Sequence, residues 1–414
     1  MHADSEPTVR VIETDDEIRA FLWGLRTAFL SGKDVTDEMV DWVRERWDFS
    51  RTWAAFDGDV QCGTAGTFPS ELRLPGGNEV LVSCLTRVTV LPTHTRRGHV
   101  TRLMRTQLDA AVEAGEVASL LVAAEWPIYG RFGYGPATEW VQWEVDTPVA
   151  EVLGAPSGSC ELVDAQGLLE PARRVLERQQ EATPGSIRRP EQFLAMTVGT
   201  DPRPGDEKHE DRVRVVHRDA DGEPDAFAIY DPKEHWVGMR PDSTLDVQEL
   251  AAATTEGGRE LWRYLIEVDL VGQVKAGGSV ADPIRYALVD GRAARQVGRW
   301  DHIWARILDV APALAARSYT HADRLVFEVV DGFLDRGGRY ALETGADGAA
   351  TCAPTSDAAD LTLPIAALSA AWLGDTDLRQ LAASGAIDED TPGALARAAA
   401  LLRWHQTAYC ATDF

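Results

Sequence analysis

The sequence predicts a mixed α/β protein of two or three domains, and three observations carry that prediction. Its 414 residues exceed what one hydrophobic core usually serves. Residues 80–122 run strand, basic glycine turn, amphipathic helix, strand, which is the order of a βαβ unit. A coarse echo of strand, polar turn, strand and then strand, helix returns between residues 213 and 269, as a second copy of a similar unit would. A 44% hydrophobic and 26% charged composition is that of an ordinary globular chain, which excludes extensive disorder beyond the first few residues.

Element by element, DDEIRAFLWGLRTAFL (15–30) carries apolar residues at helical spacing. TWAAFDGDVQCGTAGTFP reads as two strands around an Asp57-Gly58-Asp59 turn. VLVSCLTRVTV is a longer strand that stops at Leu91-Pro92, and residues 97–114 form an amphipathic helix. SLLVAA reads as a buried parallel strand, and AEWPIYGRFGYGP (124–136) as a short glycine-flanked helical turn. GAPSGS (154–159) marks a boundary near residue 150. The second segment, 151–296, reads TTEGGRE where the first reads THTRRGH, and glutamates do not hold a pyrophosphate, so this copy is expected to be structural. The third segment, 297–414, opens with RWDHIWARILDVAPALAARSY at helical periodicity, then a strand RLVFEVVDGF. Two further helices follow in LPIAALSAAWLG and TPGALARAAALLRWH. The aromatic last residue, Phe414, suggests an end that is tucked in rather than frayed.

Charge and cysteine usage narrow the function classes. With 41 basic and 66 acidic side chains the net charge is −25, which repels nucleic acid and anionic lipid. An acidic surface also simply keeps a protein soluble, so a cationic substrate has to be argued from the site. Cys62, Cys84, Cys160, Cys352 and Cys410 are scattered without CxxC pairing, against a disulfide framework or zinc site and in favour of a reducing, cytoplasmic setting. MHADSEPTVRV lacks an apolar signal core, and no run approaches the ~20 apolar residues that span a bilayer.

The chemistry is concentrated in VTVLPTHTRRGHVTRLMRTQL, residues 88–108. A helix start with exposed N–H groups and a positive dipole end is a pyrophosphate site. Arg96 and Arg97 add charge, and Gly98 allows the backbone close to the phosphates. Such a turn is equally an ordinary surface helix start until the next feature is added. AEWPIYGRFGYGP follows the second parallel strand directly and would present Tyr129 to the gap between two parallel strands, where α/β sheets place ligands.

VTVLPTHTRRG, IYGRFGYGP and the segment from Trp300 to Phe414 together resemble the GCN5-related N-acetyltransferases, and within them the Eis (enhanced intracellular survival) family. The resemblance covers essentially the whole chain. It implies tandem acetyltransferase domains, catalytic over 1–150 and degenerate over 151–296, then a sterol-carrier-protein-like domain over 297–414, assembled as a homohexamer. It implies acetyl-CoA as co-substrate, with no metal, and an amine acceptor of aminoglycoside, polyamine or lysine type. By resemblance, Val88, Thr89 and Val90 line the pantetheine arm. Arg96, Arg97, Gly98, His99, Val100 and Thr101 form the pyrophosphate loop, and Ala124 and Glu125 add a second coenzyme contact. Tyr129 matches the general acid and the carboxylate of Phe414 the general base. Thr95 and Val100 depart from the broader superfamily, which prefers Arg or Gln and a small residue there. Trp126-Pro127 stands where smaller residues are expected.

Acetyl transfer needs an unprotonated amine, oxyanion stabilisation and a proton for the departing thiolate. A backbone N–H near Val88–Val90 can serve the oxyanion. A phenol with a pKa near ~10 can protonate a leaving thiolate of broadly similar basicity. A terminal carboxylate starts near ~3.5, so Phe414 is a base only if desolvated, and otherwise an anchor for the cationic amine. Tyr134 is the alternative acid. Cys84 as an acetyl-carrying nucleophile is outweighed by its reading as a packed strand cysteine. His94 and His99 lack metal spacing and are expected as surface or loop histidines. Trp23, Trp42 and Trp126 are candidates for pocket lining among tryptophans that are otherwise expected in the core. A lipid or sterol carrier with a vestigial acetyltransferase domain is the competing class, and the intact RRG turn with its following tyrosine speaks against it.

Overall fold

The computed structural model describes residues 8–32, 34–205 and 210–414, so the N-terminal residues 1–7 lie outside the described part. The described chain divides into two compact units. One comprises the chain up to Ala137 with Ile303–Trp404 and Phe414; the other comprises Thr138–His302 with His405–Asp413.

The first unit is built on a seven-stranded sheet. Its first five strands in spatial order are β1 (Thr8–Val11), β2 (Thr52–Asp57), β3 (Val60–Arg73), β4 (Glu79–Val90) and β5 (Ala118–Val122). Strand Ile303–Ile307 then intervenes before β6 (Gly135–Pro136). β4 and β5 are parallel and the other neighbours antiparallel. Helix α1 (Asp15–Ala28) is fixed at its start by a reciprocal capping box between Thr14 and Glu17, with three acids in its first turn to suit the dipole. Its Ile18, Phe21 and Leu22 pack with Val40 and Val43 of α2 (Asp37–Arg46). Helix α3 (His99–Glu113) crosses the sheet between β4 and β5 and buries Leu103, Met104, Leu108 and Ala111 against it. The 124–136 stretch folds as α4 (Trp126–Tyr129) and a single 3₁₀ turn, Gly130–Phe132. A five-stranded sheet with helices Ile365–Ala371 and Ala394–Leu402 completes this unit.

The second unit is another seven-stranded sheet. Strand Glu139–Asp146 lies inside it, between Ala294–Asp301 and Val271–Gly278. The expected strand–turn–strand and strand–helix echo is present as Val213–Arg218, Pro224–Lys233, Ser243–Ala252 and helix Thr255–Glu267.

The helical reading of residues 299–307 is overturned: Ala294–Asp301 and Ile303–Ile307 are strands, and helix begins only at Val310. Apolar residues at 300, 303, 304, 307 and 308 fit a helical stripe. They equally fit a strand covered on both faces, and Ile303–Ile307 is buried at every position. The expected strand RLVFEVVDGF is present as Asp323–Val330, and the two late helical stretches are helices. No helix among the described residues is long and apolar enough to cross a membrane.

Candidate active site

β4 and β5 pair at only three positions, Val82–Ala118, Ser83–Ser119 and Cys84–Leu120. Beyond Cys84 the strands part, while β4 stays registered to β3 as far as Val90. The parting coincides with a bulge. Thr64 pairs Thr89 and Gly66 pairs Thr86, so β4 carries one residue more than its partner, and Arg87 takes φ +60°. Positive φ in a non-glycine residue costs on the order of 1–2 kcal/mol and persists only where the surroundings enforce it. Here Thr64 Oγ1 donates to the Arg87 carbonyl at 2.7 Å and meets the Thr89 hydroxyl at 2.6 Å, while the Arg87 guanidinium stacks 3.6 Å over Trp47. The result is a wedge whose one wall is the unpaired backbone edge of Val88, Thr89 and Val90. Thr89 turns its side chain into the sheet, so its contribution to the wedge is through the main chain.

The helix tip opposite this wall is left open. Arg96 (φ +63°) and Gly98 (φ +83°) are both left-handed, and Gly98 caps α3 without any side-chain hydrogen bond. The first-turn N–H groups therefore keep their full capacity for an anion. A Cβ at Gly98 would fall 3.0 Å from Arg102 Nη1, besides being strained. Arg96 and Arg97 are exposed, as is Thr101, and Val100 is half-buried. Arg97 is not free: its Nη1 lies 3.2 Å from Asp57 Oδ2 in the β2–β3 turn. His94 bonds Thr93 Oγ1 through Nδ1 at 2.8 Å.

His99 is not a surface histidine. It is 1% exposed and faces Cys62 Sγ at 3.6 Å, because the first turn of α3 presses this side chain onto β3. Burial lowers its pKa, which keeps the ring neutral, and only its backbone N–H points to a ligand role. Burial likewise pushes the Cys62 thiol up to about 11, so no thiolate sits beneath the tip. Cys84 is fully buried in β4, as packing predicts.

Ala124 and Glu125 are exposed at the end of β5, and Tyr129 follows on α4, 7% exposed. Its hydroxyl makes no hydrogen bond to the protein among the described residues. Burial, with smaller effects from Tyr134 and Glu125, pushes its pKa up to about 12, so the phenol is fully protonated at neutral pH. Tyr134, the alternative acid, is held differently from Tyr129. Its hydroxyl is buried, shared with Ser119 Oγ at 2.7 Å and accepting from Gln107 Nε2 at 3.3 Å, and is thereby committed to the core. The Phe414 ring meets Phe68 of β3 edge-on at 5.3 Å, and Phe68 registers with Cys84 where β4 begins to part from β5. Trp126 is 61% exposed and stands edge-on to Trp304 at 4.9 Å, so it belongs to the rim and not the core.

The comparisons with known proteins agree with this geometry. The chain matches an acetyltransferase (GNAT) domain over residues 8–137, a second acetyltransferase (GNAT) domain over 185–310, and a sterol carrier protein domain over 310–411. An uncharacterized N-acetyltransferase of Streptomyces avermitilis is 38% identical over 415 residues, covering 97% of this chain and 96% of that protein. N-acetyltransferase Eis of Mycobacterium tuberculosis is 33% identical over 345 residues, 79% of each. The crystal structure of Eis1 from Mycobacterium abscessus has a TM-score of 0.85 at 29% identity and covers 98% of this chain and 100% of that one. A GNAT wedge with an open helix tip implies acetyl-CoA as co-substrate. The chain is an N-acetyltransferase of the Eis family, within the GCN5-related superfamily.

Proposed function

We propose that the enzyme transfers the acetyl group of acetyl-CoA to an amine of a cationic acceptor, of aminoglycoside, polyamine or lysine type, with Tyr129 as general acid and the Phe414 carboxylate as base or amine anchor. The observation that carries this reading is the parting of β4 from β5 after Cys84, which leaves Val88–Val90 unpaired facing an uncapped helix tip. In this reading the free main chain of Val88, Thr89 and Val90 pairs with the pantetheine amides. The N–H groups of Gly98, His99, Val100 and Thr101, with Arg96 and Arg97, receive the pyrophosphate, while Ala124 and Glu125 border the coenzyme on the β5 side.

The amine nitrogen forms its bond to the acetyl carbon as the carbon–sulfur bond breaks, and the electron pair goes to sulfur. Tyr129 donates its hydroxyl proton toward that sulfur. A phenol held near 12 does not release its proton to a thiolate of ordinary pKa ~8.5 in a separate step, so donation accompanies cleavage while the amine gives up its own proton. The Phe414 carboxylate attracts the ammonium and accepts that proton directly or through water. The net charge of −25 favours a polycation at the encounter stage. Homohexameric assembly and a cytoplasmic setting belong to the same proposal, supported by the Eis relationship and by five free thiols.

The test is thiol release from acetyl-CoA with a panel of polyamines, aminoglycosides and lysine peptides, repeated for Tyr129→Phe. Turnover on at least one cationic acceptor is expected, falling about 100-fold in the variant with coenzyme affinity nearly unchanged. Silence across the panel alongside tight lipid binding would favour a carrier instead.

A further inference from the structure

The turn that carries Tyr129 leans on the C-terminal part of its own unit. Gly133 lies so close to Arg306 that a Cβ there would fall 3.0 Å from its Cζ and Nε, and 2.8 Å from Cγ2 of Ile365. Arg306 is fully buried on strand Ile303–Ile307, and its Nη2 donates to both carboxylate oxygens of Asp331 at 2.9 and 2.7 Å. Asp331 Oδ1 also accepts the N–H groups of Phe333 and Leu334, both at 3.2 Å. That acceptance shapes the 331–334 turn, whose Phe333 meets Phe132 edge-on at 5.0 Å while Arg105 of α3 covers the Phe333 ring at 4.5 Å. The residues around Gly133 are gripped from the same side. Gly135 abuts the carbonyl of Ala366, and Thr376 Oγ1 donates to the Pro136 carbonyl at 2.9 Å. Tyr134 is one residue on from Gly133, and its ring stands 6.1 Å from that of Tyr129.

Stability alone is a poor reason for such a pair. A buried guanidinium–carboxylate pair can often be exchanged for apolar side chains at no loss, whereas its bidentate geometry fixes position closely. Burial pushes the Asp331 carboxyl up, but the Arg306 hydrogen bond and charge, with the Phe333 and Leu334 N–H groups, outweigh that and hold it below the usual range, so the carboxylate is ionised at neutral pH.

We propose that the sterol-carrier-like domain takes part in acetyl transfer as a positioning element: Asp331 and Phe333, acting through Arg306 and Phe132, hold the 126–134 turn so that Tyr129 meets the thioester. This rests on the reading of Tyr129 as the acid. The domain match at 310–411 is thereby given a mechanical role in the reaction, separate from any ligand that domain binds.

The experiment compares kcat, acetyl-CoA affinity and melting temperature for the full-length enzyme, Asp331→Asn and Phe333→Leu, each also in a Tyr129→Phe background. Displacing a reacting group by about 1 Å costs up to ~100-fold, and a fall in kcat of at least about 5-fold is expected in both single variants, with coenzyme affinity within about 2-fold. In the Tyr129→Phe background the same substitutions should leave residual turnover unchanged, because there is no acid left to misplace. An undiminished kcat in Phe333→Leu, or a loss that repeats in full without the phenol, overturns the proposal. Should Asp331→Asn fail to fold, Phe333→Leu carries the test, since it buries no unpaired charge. Wild-type turnover in Tyr129→Phe alone would instead overturn the acid assignment, a distinct failure.

Discussion

Two helix tips follow two similar strands in this chain, and only one of them is open. The tip of α3 is capped by Gly98, a residue with no side chain to offer, and is flanked by exposed Arg96 and Arg97. The tip of helix Thr255–Glu267 is closed by its cap Thr254 and by side chains of neighbouring strands. Thr254 Oγ1 accepts from Gly257 N at 2.9 Å and donates to Asp225 Oδ2 at 2.5 Å, and Asp225 Oδ1 meets His217 Nδ1 at 2.6 Å. His217 Nε2 then reaches the Ser157 carbonyl at 3.0 Å, and a Cβ at Gly257 would fall 2.7 Å from the Asp225 carboxylate. The buried Asp225 carboxyl group thus crowds the tip where a phosphate would have to come. A helix tip can take an anion only when the fold leaves its donors unanswered; here the Thr254 hydroxyl answers the Gly257 N–H and passes its own hydrogen to the Asp225 carboxylate on a neighbouring strand, so the tip serves structure.

The largest expected effect comes from reversing charge at the open tip. Arg96→Glu with Arg97→Glu should weaken acetyl-CoA binding about 100-fold, since each change removes a cation and sets an anion beside the pyrophosphate. Glu256→Arg at the closed tip should leave coenzyme affinity unchanged. Calorimetric titration decides, and equal sensitivity at both tips would end the distinction drawn between them.

Opening the closed tip should register in stability and not in binding. Asp225→Asn leaves His217 and Thr254 with a weaker, uncharged partner in a buried site, a loss of about 2 kcal/mol. A lower melting temperature is expected, with coenzyme still binding once per chain. A second coenzyme bound by this variant would show that Asp225 alone had been excluding it.

The geometry of the open tip was legible from residue types: RRG after a strand, leading into an amphipathic helix, predicts a basic helix start with glycine at its cap, and Gly98 is that cap. The closed tip was half legible: TTEGGRE announced acidity through Glu256, yet the carboxylate at the tip is Asp225, about thirty residues earlier, at a break in strand register between Pro224 and Ala226. The same limit hid Arg306 and Asp331. RWDHIWARILD satisfies helical and two-faced strand spacing alike, and nothing in that spacing marks Arg306 as a buried residue on a strand between β5 and β6. His99 fell to the opposite error, for a polar residue in a basic turn gives no sign that its first helical turn faces inward.

The smallest effect concerns Asp57, an acid paired to the open tip. Asp57, legible only as part of a β-turn, sits 3.2 Å from Arg97 and 3.9 Å from His94. An exposed pair of this kind contributes at most about 1 kcal/mol, so Asp57→Asn should cost little stability. It would free Arg97 and remove an anion from beside the proposed pyrophosphate site. Acetyl-CoA should therefore bind about 2- to 5-fold more tightly, with a steeper dependence on ionic strength as the tip's net positive charge rises. Glu256→Gln makes the matching change at the closed tip and should alter neither quantity, because the Asp225 carboxylate remains in place. Weaker binding in Asp57→Asn would mean that the carboxylate organises the Arg97 side chain for phosphate, and the open tip would then share with the closed one a dependence on an internal acid.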